Sequence, residues 1–561
     1  MDNSTSIHAW VHTWHTKKPG TNAVGVKEKI IKIHEDGKKE YLDALKIYND
    51  PMRPFWVTKP QYRIHDYKKE FGDIDKCDQY LCHDSELEEK LALALGYYSG
   101  RKMSLRQLCN SPFVYGADIE TAVLVKQSYL RKMPVGLVPK YSVGALDIEN
   151  EVHGEQRINI ITFIHEDQIF TGVLQDDANV EYELDKYRTA TKEEFLQVIH
   201  KLLGFYFERY HFKLTLEILP SEVELIKWIF QCIHKCKTDF IGIWNLSYDI
   251  PKILDRLEKN GLSESQIEDI LCHPDVPKQY RLVNWYNDSK DVQHYTDKWH
   301  WFSLAGYSQF MDSMCAYARL RKVSGRDSSY SLDSISTKEL GHGKLHFGAI
   351  TNHTYEQKHH FLEYTAYNIN DAMVLMLMEW QNNDMTAIAG LCGQSIISQF
   401  ARQTVLLKND AYVYGKSKGK IPASAGMNMF TPYDKEQSKA GGAVLPPNKA
   451  INVGSPVVEE LGNRNTQVCL YANDLDFSSL YPTITSTFNI SKETILSTVM
   501  QINGFPKEAV EILFGYLNRP DINGVPIATH FFGLPTYTEW DDIYQKYLRT
   551  FKDSHGEKIL L

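Results

Sequence analysis

The sequence predicts a mixed α/β protein (α+β in its overall make-up) of several domains, and three observations carry that expectation. At 561 residues the chain is longer than one hydrophobic core sustains. A hydrophobic share of 43% and an aromatic share of 12% supply enough apolar surface for large cores. From Tyr141 to Trp380, short apolar strands and segments of helical period follow one another, the pattern of an α/β core.

The elements read as follows. The first ~140 residues are mixed and aromatic-rich, with a helix over Glu86 to Leu95. Basic and aromatic residues interleave from Pro51 to Pro60 and from Gln61 to Lys69, a pattern suited either to single-stranded nucleic acid or to an ordinary surface hairpin. Val143 to Ile148 is a strand, and Ile158 to Ile164 and Ile169 to Leu174 form a hairpin around Glu166-Asp167. Thr191-x-x-Glu194 and Ser221-x-x-Glu224 are capping boxes that open two amphipathic helices. Phe240 to Trp244 is a short buried strand, Asp275 to Trp301 an insertion or long hairpin, and Leu362 to Trp380 a long helix. Thr386 to Leu407 is helical, and Lys416 to Lys420 and Asn428 to Pro447 are connecting loops. Strand signals return at Gln467.

Composition limits the function classes. The net charge of −9 argues against a protein that only coats DNA, though not against an enzyme with clustered carboxylates and a local basic groove. No apolar run reaches the roughly 20 residues of a membrane span, and Met1-Asp-Asn-Ser lacks a secretory pattern, so the expectation is no membrane and a cytoplasmic site, the host cytoplasm if the protein is viral. Nine cysteines, scattered and odd in number, read as reduced thiols. Cys77-x4-Cys82-His83 and Cys232-x3-Cys236 lack a second ligand pair at finger spacing.

Three segments carry chemistry. In Ala145-Leu-Asp147-Ile-Glu149, residues i and i+2 of a strand share a face, so two carboxylates converge and repel unless a divalent cation lies between them. Ile241-Gly-Ile-Trp-Asn245-Leu-Ser-Tyr-Asp249 reads as a buried strand that runs into a loop and delivers Asn245 and Asp249. In Tyr364-Thr-Ala-Tyr367-Asn-Ile-Asn-Asp371, Tyr367 and Asp371 are i and i+4 on one helix face, where a phenol beside a metal carboxylate can orient water. Each has a bland alternative: a solvated strand face, an Asn/Asp turn, and a half-buried tyrosine near a surface acid.

In order and spacing, the three segments resemble the Exo I, Exo II and Exo III motifs of proofreading 3′→5′ exonucleases. Tyr330-Ser-Leu-Asp-Ser-Ile and Glu339-Leu-Gly-x-Gly-Lys344 also resemble family B exonuclease domains. The resemblance implies a ribonuclease H-like fold, with Asp147, Glu149, Asp249 and Asp371 holding two Mg²⁺ or Mn²⁺ ions. Tyr367 would position the nucleophile and Asn245 would contact DNA.

Asp476-Phe-Ser-Ser-Leu-Tyr-Pro-Thr483, after an apolar approach, resembles the first palm motif of family B DNA polymerases of the tailed-bacteriophage type. The resemblance implies metal binding by Asp476. Ser479 and Leu480 would offer amides to a deoxynucleoside triphosphate, and Tyr481 would lie under its sugar. Gly441-Gly442 matches the loop before the palm, with Lys439 where the family has tyrosine; all three are expected DNA contacts. After Asp476 the 85 remaining residues contain neither the fingers motif K-x-x-x-N-S-x-Y-G nor D-T-D, and Asp541-Asp542 is a weak substitute.

The resemblance therefore implies the N-terminal portion of a split or truncated polymerase. Its expected domains are an N-terminal domain over 1–140, a 3′→5′ exonuclease over 141–383, a helical return or linker over 384–430, a partial palm over 431–535 and the start of fingers over 536–561. Its partners would be primer–template DNA and single-stranded 3′ ends, deoxynucleoside triphosphates, a complementary C-terminal polymerase chain and a sliding clamp. A stand-alone 3′→5′ DNA exonuclease and a non-catalytic DNA-binding scaffold are the alternative readings.

Overall fold

The computed structural model describes residues 5–424, except 35, 65–68, 70, 98–102, 135–136, 138, 152–153, 176–178, 183–185, 290–293, 323–324 and 346–352. The expected sites at Lys439, Gly441, Gly442, Asp476, Ser479, Leu480 and Tyr481 lie outside the described residues, as do the loop over Asn428 to Pro447 and the strand at Gln467. The chain is mixed α/β and divides into two compact units. One comprises Met1–Phe55, Tyr80–Arg101 and Asp118–Tyr414, the other Trp56–Gln79, Lys102–Ala117 and Gly415–Leu561.

In the first unit, three long antiparallel strands, β1 (Thr5–Lys18), β2 (Thr21–Ile33) and β3 (Lys39–Asn49), form a meander in that order. The larger element is an eight-stranded mixed sheet. Its strands are β4 (Val143–Asn150), β5 (Ile158–His165), β6 (Gln168–Leu174), β7 (Lys213–Leu219), β8 (Phe240–Ile243), β9 (Val283–Tyr286), β10 (Trp301–Leu304) and β11 (Gln309–Asp312). Their spatial order is β7-β6-β5-β4-β8-β11-β10-β9. The hairpin expected around Glu166-Asp167 is β5–β6, with Gln168 opposite His165. Strand β4 runs antiparallel to β5 and parallel to β8, which is in turn parallel to β11.

Alternation along β4 sorts its side chains between two cores. Ala145 faces a cluster that contains Ile160, Ile164, Phe195 and much of the long helix over Phe361–Asn382. Leu146 and Ile148 face the other cluster, with Phe163, Phe230, Ile250 and Leu257. Helices therefore cover both faces: α1 (Lys192–Tyr210) on the first, α2 (Glu222–Cys236) and α3 (Leu246–Lys259) on the second. Each fully buried Phe or Leu contributes about 1.5–3 kcal/mol, so the two-sided sheet is the main source of stability here. Asp147 and Glu149 have the parity of Ala145 and so stand on the face that packs against the long helix. At Gly144 a β-carbon would come 2.5 Å from the Ile164 carbonyl oxygen, so the close β4–β5 approach requires glycine.

Further helices include α4 (Ser313–Leu320), α5 (Leu332–Leu340), α6 (His353–His359) and α7 (Phe361–Asn382). Thr191 makes the full capping box with Glu194, whereas at Ser221 the hydroxyl caps Glu224 N–H and the Glu224 carboxylate pairs with Lys227 at 3.2 Å. The segment Asp275 to Trp301 resolves into a long hairpin, β9 pairing antiparallel with β10. The single helical stretch expected from Thr386 to Leu407 is broken: helices cover Asp384–Leu391 and Gln403–Ser417, with a 3-10 turn at Ile397–Gln399 between them. Gly393, at φ 49°, lies in that break. The basic–aromatic segment from Pro51 contributes a strand, Met52–Thr58. In the second unit, Lys420–Pro422 pairs antiparallel with Phe71–Asp73, and Trp56–Val57 pairs with Val114–Tyr115.

A buried ion cluster ties the meander to the large sheet. Asp239, just before β8, is fully buried and accepts from Ser142 N–H (2.7 Å) and Ser142 Oγ (3.1 Å). Lys29 Nζ lies 2.6 Å from its Oδ2, and Lys27 Nζ meets its Oδ1. Lys27 also reaches Asp43 at 2.9 Å. Burial alone would raise the Asp239 carboxyl, but Lys27 and Lys29 hold it below its ordinary value. Two lysines meet two aspartates, so the cluster is neutral; removing one member strands a buried charge. Asp239→Ala is expected to cost about 3–5 kcal/mol, read as a shift in the urea unfolding midpoint. A loss under about 1 kcal/mol would contradict this account.

Candidate metal centre

The candidate site forms where β4 ends beneath α7. Asp147 and Glu149 project from one face of β4, and Asp371 from α7 meets them. One carboxylate oxygen from each lies within 4.8 Å of the others. Among the described residues this is the group of acidic, histidine and cysteine side chains close enough to share an ion. Cys232 and Cys236, singled out by their spacing, are half-buried, and burial pushes their thiols up to about 12 and about 11, opposite to what a metal thiolate needs.

The sequence places Asp249 in a loop; the structure places it in the first turn of α3. Asn245 is the N-cap, exposed, with its carbonyl accepting from Asp249 N–H at 3.2 Å. Helix formation starts at Leu246, after the two turn residues that follow β8, and Pro251 inside the helix forgoes the bond its N–H would make to the Ser247 carbonyl. Asp249 is buried (5% exposed) and stands outside the three-oxygen group; burial first, then Glu149, raises it, and its own charge adds to the rise at Asp147. Tyr248, in the same turn, is half-exposed and donates to Asn150 Oδ1 at 2.7 Å.

The electrostatics are those of acids short of positive charge. Burial first, then Asp371, Asp249 and Glu149, push Asp147 well above the usual carboxylate range. Burial, then Asp371, raises Glu149 to about 7. Burial raises Asp371 to about 6 despite Lys344, and raises neighbouring Asp312, the N-cap of α4, to about 7.

In the sequence Lys344 only closes a motif, and the structure brings it into the centre of the site. Its Nζ bonds Asp371 Oδ2 and donates to Tyr367 Oη at 2.9 Å. Against burial, which lowers it, Asp371, Tyr367 and Asp147 hold this ammonium above its ordinary value. Its backbone is fixed from both sides: Lys344 N–H donates to Asp333 Oδ1 (2.8 Å) and Leu345 N–H to Asn370 Oδ1 (2.8 Å). A β-carbon at Gly343 would fall 2.1 Å from Asp333 Oδ1, so the loop closes this tightly only with glycine there. Tyr364 and Asn368, also outside the expected set, bond Glu149 and Asp147; their spacing from Asp371 on one helix face was the signal available in the sequence.

The residues fit divalent cations. Oxygen donors from three carboxylates converge, and Asp371 Oδ1 and Asn368 Oδ1 are buried without a hydrogen-bond partner. Such orphaned acceptors next to mutually repelling acids are what a hard cation satisfies.

No protein-family model matches the chain. Over 262 residues, 46% of its length, it is 26% identical to the DNA-directed DNA polymerase of Escherichia phage RB69. The match covers 24% of that relative, so the chain spans about a quarter of the polymerase it is similar to. The similarity supports a distant relationship to a phage DNA polymerase. No helix among the described residues is long and apolar enough to cross a membrane.

The raised carboxylates set a pH dependence. In the folded, metal-free protein Glu149 keeps its proton to about 7 and Asp371 to about 6, against ordinary values of 4.5 and 3.8. Their contribution to stability is therefore complete below those ordinary values and lost as pH rises through 6–7. Between pH 5 and pH 8 without divalent ions, wild type should lose more thermal stability than Glu149→Gln, by roughly 2–4 °C. Parallel melting profiles would contradict the charge crowding.

Proposed function

We propose that this chain is a 3′→5′ DNA exonuclease of the two-metal type and the N-terminal portion of a family B DNA polymerase. The convergence of Asp147, Glu149 and Asp371 beside buried, unpartnered acceptors is the observation that carries the reading. The distant similarity to a phage DNA polymerase supports it from outside the site.

In this reading Asp147, Glu149, Asp371 and the nearby Asp249 hold Mg²⁺ or Mn²⁺. When bound, these ions supply an activated water and charge neutralisation at the leaving 3′-oxygen. The chain's own residues do the rest. Lys344 offers a positive charge within the cluster and donates to the Tyr367 oxygen, which holds the phenol beside Asp371, where it orients the attacking water. Asn245 and Tyr248, exposed at the start of α3, contact the single-stranded 3′ end.

The expected domain limits, 1–140, 141–383, 384–430, 431–535 and 536–561, stand as part of this proposal, with a ribonuclease H-like core in the second. So do the roles of Asp476, Ser479, Leu480 and Tyr481 with deoxynucleoside triphosphates, and of Lys439, Gly441 and Gly442 with DNA. A complementary C-terminal chain and a sliding clamp are further partners in this reading.

With a labelled single-stranded oligonucleotide and Mg²⁺, wild type should shorten the 3′ end. Asp147→Ala and Asp371→Ala should each slow this by about 10³-fold or more while melting stays cooperative. Unchanged hydrolysis in both variants would overturn the assignment.

A further inference from the structure

The acids at the site are aimed by donors on α7 that neither the resemblance nor the relative assigns. Tyr364 Oη donates to Glu149 Oε2 at 2.6 Å, and Asn368 Nδ2 donates to Asp147 Oδ2 at 2.6 Å. Tyr364, Asn368 and Asp371 are i, i+4 and i+7, so one stripe of α7 presents two donors and one acid to the end of β4. Both donors are buried, Tyr364 at 2% and Asn368 at 0% exposed.

The donors are themselves held. Tyr364 has a single O–H, spent on Glu149, so its oxygen accepts from His353 Nδ1–H on α6 at 3.2 Å. Its ring stacks on Tyr367 at 5.6 Å and 18°. Gln357, also on α6, donates to the Asn150 carbonyl at 2.9 Å, one residue beyond Glu149. Asn368 has its Nδ2 on Asp147 and its Oδ1 buried without a partner. The reverse amide orientation would set oxygen against carboxylate, so the acid itself fixes the amide.

We propose that Tyr364 and Asn368 are positioning residues that orient Glu149 and Asp147 as cation ligands, with His353 steadying Tyr364 from α6. The inference rests on the metal reading of the site. Its physical basis is that a carboxylate on a flexible stem binds a cation tightly only if its oxygens are already aimed. A donor on one oxygen fixes the side-chain torsions and leaves the other oxygen for the ion. Glu149, with the longer stem, gains most from its phenol.

The test is Mn²⁺ titration of the DNA-free protein, followed by electron paramagnetic resonance of the free ion. Variants are Tyr364→Phe, which keeps the ring and removes only the hydroxyl, and Asn368→Leu, close in volume. Each should weaken Mn²⁺ binding about 10–100-fold, with cooperative melting retained. A double variant should weaken it further, since the two donors serve different ligands. If wild type binds Mn²⁺ and both variants bind it equally well, the positioning role is wrong and the metal site stands. If wild type itself fails to bind, the metal reading fails, and this inference with it.

Discussion

Carboxylates this close in a buried setting cannot all stay ionised without added positive charge, and the architecture around the site follows from that constraint. Two unit charges about 4 Å apart repel by about 4 kcal/mol at an effective dielectric of 20. Asp147, Glu149 and Asp371 bring oxygens within 4.8 Å of one another, where the repulsion is little smaller, with Asp249 close behind. Lys344 supplies one positive charge against four acids. Burial first, and this repulsion with it, raises the carboxylate pKa values, and the balance comes from protons or from cations. A protein that sustains this arrangement in its metal-free state gives up stability for it, and that loss is intelligible where the acids have work to do.

The sheet is what makes the crowding possible. Strand β4 is central, gripped by β5 and β8, and packed on both faces. Its alternation commits Leu146 and Ile148 to one core and turns Asp147 and Glu149 toward α7, with no freedom to slip register. On the other side α7 is buried over most of its length, so the stripe bearing Tyr364, Asn368 and Asp371 is as rigid as the strand it faces. Lys344 comes from a loop, yet Asp333 and Asn370 fix its backbone. The Asp239 cluster stiffens the entry to β8, the strand that leads to Asp249.

What was legible in the sequence was periodic and local. Asp147-x-Glu149 on a strand, and Tyr367 with Asp371 on a helix, could be placed because two side-chain periods decide which residues share a face. Asp249 was harder. Asn245 followed by Ser247 and Pro251 has the composition of a turn, and only the packed structure shows that α3 begins immediately, with Asn245 as its cap. The break in the helices after Leu391 was likewise concealed by a near-continuous helical composition. Lys344 at the centre and the Lys27–Asp239 contact were not legible, since they are tertiary: the latter joins residues 212 apart in sequence. Tyr364 and Asn368 lie between these cases. Their spacing was visible, but which acid each would meet depended on the placement of β4.

The most direct test of the account is a crystal soaked in Mn²⁺ at neutral pH without DNA, with an anomalous difference map calculated at the manganese edge. The account predicts a peak bounded by Asp147, Glu149 and Asp371, with the Lys344 ammonium moved off Asp371. A map with no peak there, and Lys344 still paired with Asp371, would contradict it.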